Sequence, residues 1–189
     1  MSLEDKKKWD KKYTENKELF SYRPPSMFVK HYFDLAPKKS ALDVACGGGR
    51  NTLFLQELGF KIDAIDISAI ALAELAKNAN ENVALIEADL DEYEFKKQKY
   101  GLIVMTNFLD RALIKRLKEA LVDGGIFIVE TYVEDELNEK DFNKNFMLYK
   151  GELKELFSDF EIIEYDEFMN EPFEVYRMKK AAIAARKVK

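Results

Sequence analysis

From residue 40 onward, short apolar runs alternate with segments whose apolar residues recur every three or four positions. The runs at 40–46, 61–67, 83–90, 102–108 and 126–132 read as strands. The fourth, "LIVMTNF", is continuously apolar, as a central strand covered on both faces should be. Between these runs the period changes to that of helices. One helix is expected over 50–58, stopped by Gly59. A second starts from Ser68 as N-cap, with Leu72, Leu75, Ala76 and Ala79 at helical spacing. A third, amphipathic, covers 111–121 and is closed by Asp123-Gly124-Gly125. The tail offers a short helix at 151–157 and two strands at 160–168 and 173–187. The loop around Asn170-Glu171-Pro172 is too short for a crossover helix, so these two strands should form an antiparallel hairpin. The expected fold is α/β: an open, mostly parallel, seven-stranded doubly wound sheet with an antiparallel C-terminal hairpin. Residues 1–189 are read as one domain, an N-terminal helical cap over 1–38 and an open-sheet core over 39–189.

Composition narrows the class. The chain has 189 residues, 47% of them hydrophobic, which suits one core. No apolar stretch reaches the roughly 18 residues that span a bilayer, and the charged start "MSLEDKKKWDKKY" has no apolar signal region. The lysine run at 6–12 reads as a solvated helix face. A lone cysteine, Cys46, excludes internal disulfides and fits a reducing, cytoplasmic setting. No Cys/His cluster calls for a metal. A net charge of −5 argues against nucleic acid as the main partner.

In an open α/β sheet, ligands bind beyond the carboxyl ends of the strands. After the first strand stand Gly47, Gly48 and Gly49, leading into a helix. Glycines let backbone N–H groups approach a ligand with no Cβ between. A plain tight turn is the simpler reading, though one glycine would suffice for it. The dinucleotide fingerprint G-x-G-x-x-G is matched at Gly47 and Gly49 but has Thr52 at the third position, and it does not ask for Asp43 inside the strand. After the second strand comes Asp66, 17 residues beyond Gly49, where a carboxylate accepts ribose hydroxyls or merely caps the strand. Asp89 follows the third strand; it suits an exocyclic amine, with Leu90 against a ring. Thr106, Asn107 and Phe108 floor the cleft after the fourth, Phe108 having a core role as its alternative.

"ALDVACGGGRN", "AIDIS", "EADL" and "LVDGGIFIVETY" resemble, in order and spacing, the four motifs of the Rossmann-like S-adenosylmethionine-dependent methyltransferases. The resemblance covers roughly residues 40 to 132. Within that superfamily "WDKKY", "PPS", "GGGRN" and "NFLDRAL" are similar to the small bacterial tellurite-resistance and thiol-methylating enzymes. The resemblance implies a cofactor, S-adenosylmethionine, leaving as S-adenosylhomocysteine. It implies contacts from Asp43, Ala45, Gly47, Gly48, Gly49, Asn51, Asp66, Ile67, Asp89, Leu90, Thr106 and Asn107, with no metal. Acceptor choice is expected in the cap, where Trp9 and Tyr13 share a helix face and Arg23 precedes a stiff Pro24-Pro25 pair; gluing the cap to the body is the plainer role for the two aromatics. Arg23, Asn107 and Arg111 are the candidate catalytic residues, Arg111 standing equally for a helix start and Tyr132 similarly poised. His31 is expected as a partly buried structural histidine, and Cys46 as a small buried residue. The implied activity is methyl transfer to a small acceptor such as a thiol or chalcogen oxyanion, by a monomer or homodimer without membrane or nucleic-acid partners. A methyltransferase acting on protein or RNA, and a cofactor-binding scaffold without catalysis, stay open.

Overall fold

A computed structural model of the chain describes residues 3–139, 143–170, 174 and 176–189. Among them seven strands form one sheet: β1 (Ser40–Val44), β2 (Lys61–Asp66), β3 (Val83–Glu87), β4 (Tyr100–Thr106), β5 (Leu121–Tyr132), β6 (Phe160–Met169) and β7 (Lys179–Lys187). Their order is β3-β2-β1-β4-β5-β7-β6. The first five run parallel; β7 is antiparallel to both β5 and β6. The strand order reverses between β1 and β4, and it is beyond the carboxyl ends at such a point that open α/β sheets bind ligands.

Six helices cover the sheet: α1 (Leu3–Glu15), α2 (Met27–Tyr32), α3 (Arg50–Glu57), α4 (Ala69–Leu75), α5 (Arg111–Ala120) and α6 (Glu152–Leu156). On one face Leu113, Ile114 and Leu117 of α5 pack with Phe127, Phe157 and Leu153. On the other, Phe28 and Val29 of α2, Leu55 of α3 and Leu75 of α4 pack with Leu102, Val104 and Ile128. The apolar β4 is accordingly buried from Tyr100 to Met105. Ser68 caps α4 by accepting the Ala71 N–H at 3.2 Å.

Several boundaries differ from the sequence pattern, among them β3, which ends at Glu87 and not at 90, and α4, which ends at Leu75 short of Ala76 and Ala79. β1 and β4 stop early because Ala45 (φ 52°) and Asn107 (φ 57°) turn into the left-handed region, which ends extension. α5 stops at Ala120, and Asp123-Gly124-Gly125, expected as a helix-closing turn, lies within β5. Gly124 (φ 75°) sits where the β4–β5 register shifts, so the chain passes from helix to strand through an irregularity that only glycine makes easy. β7 begins at Lys179 and not at 173; the expected strand residues 173 and 175, with 171 and 172 of the loop, lie outside the described residues. The hairpin itself is antiparallel, as the short loop requires.

Candidate functional site

The carboxyl end of β1 is a chain of left-handed residues: Ala45 (φ 52°), Gly47 (φ 53°) and Gly49 (φ 79°). A Cβ on Gly49 would meet Leu75 Cδ1 at 2.3 Å, so glycine is needed there for α3 to pack on α4 as well as for its backbone angle. Asp66, at the end of β2, fixes the turn. One of its oxygens accepts the Gly47 N–H at 2.8 Å, the other the Ser68 N–H at 2.9 Å. It is 6% exposed, and burial raises its carboxyl above the usual range despite these amides. The capping role expected as the alternative is thus the one observed. Asp43 lies behind the turn, fully buried, accepting from Thr52 Oγ1 at 2.6 Å. Desolvation pushes its carboxyl up to about 6, opposed by the Thr52 hydrogen bond and the Arg50 charge.

The other strand-end residues divide between crevice and core. Asp89 makes a local turn, accepting the Asp91 N–H at 2.9 Å. Leu90, expected against a ring, is instead in the core with Leu113 and Leu117. Ile67 offers its carbonyl to Lys6 Nζ at 3.4 Å. Thr106 accepts from Asn51 Nδ2 at 3.0 Å, and Asn107 donates its N–H to the Glu130 carbonyl at 2.8 Å while its side chain stays exposed. Phe108 is partly buried against the α5-side core. Burial pushes the Cys46 thiol up, which keeps it protonated and unsuited to attack.

The cap covers this turn. Trp9 and Tyr13 do share a face, their ring centres 5.8 Å apart, and Tyr13 stacks on Phe20 at 5.1 Å. A Cβ on Gly47 would lie 2.9 Å from the Tyr13 hydroxyl, and one on Gly48 3.1 Å from Phe20 Cδ1. Farther along α1, Asp10 accepts from Ser68 Oγ at 2.6 Å and Lys6 donates to Glu87 at 2.6 Å. The cap thus borders the glycine turn and the ends of β2 and β3, the ground assigned to the cofactor, and is not confined to an acceptor side.

On the other side of the turn lies a polar network that the sequence pattern missed. Glu130 of β5, 4% exposed, accepts from Ser26 Oγ at 2.5 Å and Lys180 Nζ at 3.2 Å; Arg50 Nη2 stands 3.6 Å away. Lys180, 2% exposed, also pairs with Glu174 at 3.0 Å, and Arg23 lies 3.9 Å from Glu174. The Ser26 N–H donates to Asn51 Oδ1 at 2.9 Å. Lys180 sits over the Tyr132 ring, 5.2 Å from its centre. The signal was present in "IVETY": a carboxylate inside an apolar run, the same oddity that drew attention to Asp43.

Two candidates fall elsewhere. Arg111 grips Glu152 with two nitrogens and donates to the Asn145 and Met147 carbonyls at 3.1 and 2.9 Å. Its guanidinium is committed to holding the segment before α6. His31 is exposed, not partly buried, and lines a shallow groove with Glu164 and Asp166.

A switch point at β1/β4, a left-handed glycine turn beside it and buried carboxylates at the ends of β1 and β2 define an open α/β protein of the doubly wound class. The fold matches the crystal structure of TehB from Haemophilus influenzae with a TM-score of 0.73, at 27% identity over 84% of this chain and 61% of that one. A family model described as "Tellurite resistance protein TehB" matches residues 7–180, and the chain belongs to that family. The H. influenzae protein named "Probable S-adenosyl-L-methionine-dependent methyltransferase TehB" is 30% identical over 162 residues, 77% of this chain and 56% of the relative. The chain therefore spans little more than half the length of that curated relative. A Campylobacter lari protein named "Ribosomal protein L11 methyltransferase" is 31% identical over 133 residues, 66% of this chain and 47% of its own.

Proposed function

We propose that the chain is an S-adenosylmethionine-dependent methyltransferase acting on a small acceptor, a thiolate or chalcogen oxyanion. The observation that carries the cofactor is the Gly47–Gly49 turn held by Asp66 at the β1/β4 switch point, in a chain of the TehB family. The residues present fit the group: glycines leave no Cβ over the turn, Asp66 keeps lone pairs beyond its two amide bonds for hydroxyls, Asp43 supplies negative charge from behind the turn, and Asp89 stands at the next strand end. When bound, the cofactor supplies an electrophilic methyl group on a sulfonium. The chain's work is then alignment, which is worth on the order of 7–11 kcal/mol.

The acceptor side supports an anion. Among the described residues, three cations, Arg23, Arg50 and Lys180, lie within ion-pair distance of Glu130 or Glu174. Its titratable groups are poor bases at neutral pH. The Glu130 carboxyl is held low because Lys180, Ser26 and Arg50 outweigh its burial, and burial pushes the Tyr132 phenol up. An acceptor that arrives deprotonated needs neither. The reading includes a cytoplasmic monomer or homodimer without nucleic acid; among the described residues no helix is long and apolar enough to cross a membrane.

The ribosomal-protein methyltransferases among the relatives favour a second reading, a macromolecular acceptor. Both are tested by incubating the chain with methyl-labelled cofactor and either small thiols and selenite or purified ribosomal proteins. Volatile or thioether product from the first set supports the proposal; label appearing only in protein replaces it. A chain that binds S-adenosylhomocysteine in calorimetry but labels nothing would be a scaffold.

A further inference from the structure

Arg50 occupies an unusual position. It follows Gly49 directly, so α3 carries it from the glycine turn toward β5. Its Nη2 is buried and, among the described residues, is the side-chain nitrogen or oxygen in that state with no hydrogen-bond partner. Buried donors are nearly always paired, and one that is not asks for an explanation. The cause is visible in Glu130. Ser26 Oγ takes one carboxylate oxygen and Lys180 Nζ the other, so Arg50 is left at ion-pair distance, 3.6 Å, without a bond of its own.

The location adds to this. The Arg50 charge is felt both by Asp43 behind the glycine turn and by Tyr132 at the end of β5. The guanidinium is thus placed by its 3.6 Å approach to Glu130, at the start of the helix that follows the glycine turn. Its neighbour Asn51 joins the cap at Ser26 to β4 at Thr106, which holds the start of α3 in place. A guanidinium held near a carboxylate but keeping a buried, unpaired donor is suited to receive a carboxylate or oxyanion.

We propose that Arg50 is an anion-binding residue of the crevice and that Glu130 is the positioning residue that holds its guanidinium there. The inference rests on the methyltransferase reading, which supplies two sources of the anion: the carboxylate of the cofactor's amino-acid end, or an anionic acceptor.

Calorimetry on the full chain distinguishes them. The titrants are S-adenosylhomocysteine, 5′-methylthioadenosine, which keeps the adenosine and thioether but lacks the carboxylate, and sodium selenite added to protein saturated with S-adenosylhomocysteine. In Arg50→Gln, a loss of at least tenfold for S-adenosylhomocysteine with 5′-methylthioadenosine within twofold assigns the cofactor carboxylate. Unchanged nucleoside binding with at least tenfold weaker selenite assigns the acceptor. No change in any titrant overturns the assignment. Arg50→Lys keeps the charge beside Glu130 and is run in parallel, so a poorly folded Arg50→Gln does not decide the matter; it should show the same split at threefold or more. Glu130→Gln should reproduce the split in weaker form, and Glu130→Asp should restore part of it. A Glu130→Gln protein that melts earlier but keeps the wild-type ratio of affinities would make Glu130 structural only. Wild-type protein that binds no S-adenosylhomocysteine at all overturns the methyltransferase reading, and the inference with it.

Discussion

The two sides of the crevice are put together differently. The glycine turn is local: Asp43, Gly47, Thr52, Asp66 and Ser68 lie within 26 positions of one another, and their bonds run between adjacent loops. The Glu130 network is assembled from afar. Ser26 and Glu130 are 104 positions apart, Glu130 and Lys180 another 50. The first side is shaped by backbone angles, the second by charge balance. Damage to the turn should therefore act through conformation, while damage to the network should act through unpaired charge.

The largest effect is expected from Gly49→Ala. A left-handed alanine costs about 1–2 kcal/mol, and its Cβ would overlap Leu75, a buried residue, adding about 1–3 kcal/mol of overpacking. Urea unfolding should show the sum. A midpoint equal to wild type would mean that the turn is not conformationally demanding, and the contrast would break. Asp66→Ala comes next. It strands the Gly47 and Ser68 N–H groups, each costing roughly 1–3 kcal/mol if left unsatisfied. Affinity for S-adenosylhomocysteine should fall by about 2 kcal/mol or more, and the melting temperature should fall too. Lost affinity at wild-type stability would show that the capping bonds contribute little.

Arg111→Ala sharpens the contrast from outside both regions. It leaves the buried Glu152 without its partner, which in a fully buried pair costs about 3–5 kcal/mol. Arg111 is 39% exposed, so solvent screening reduces this to about 1–3 kcal/mol. Stability should drop with cofactor affinity unchanged; an equal loss of affinity would return Arg111 to the site.

The smallest effect concerns pH. The Asp43 carboxyl sits at about 6 in the folded chain, above its ordinary value near 3.9. For an acid raised by folding, the protonated form is favoured in the native state. Its contribution to stability is complete below the ordinary value and is lost as pH rises through about 6. Asp43→Asn should flatten the stability profile between about pH 4 and 6, measured by denaturant titration. Binding of a cationic cofactor favours the carboxylate, so affinity should weaken as pH falls below about 6, and the binding heat near that pH should depend on the buffer. An unchanged profile in Asp43→Asn would detach the turn's chemistry from this carboxyl.

The same difference explains what was legible in the sequence. Strand periods, the glycine run and the acidic residues at strand ends are local patterns, and they located the sheet, the hairpin and the turn. Glu130 and Lys180 carry meaning only once β5 and β7 are paired, with Glu130 opposite Ala182. Leu90 and Arg111 were assigned to the crevice because they follow strands; which way each side chain faces is decided by α5 and by the segment before α6. The early ends of β1 and β4 depend on backbone angles at Ala45, a residue type that does not announce a left-handed turn, and at Asn107, one of the types that adopts it readily but is equally common in other turns.

Tyr13 and Phe20, lying against Gly47 and Gly48, have a consequence for how binding is measured. Where entry to the turn needs these rings to move aside, the observed dissociation constant is the intrinsic one divided by the fraction of chains whose entrance is open. Loosening the cap at Asp10 or Lys6, on its outer margin, enlarges that fraction without touching the glycines. The arrival rate should then rise in proportion, while the departure rate reports what the cap contributes once closed. A single residue change on α1 that enlarges the open fraction severalfold lowers the observed constant by the same factor, less whatever the closed cap contributes to holding the bound molecule.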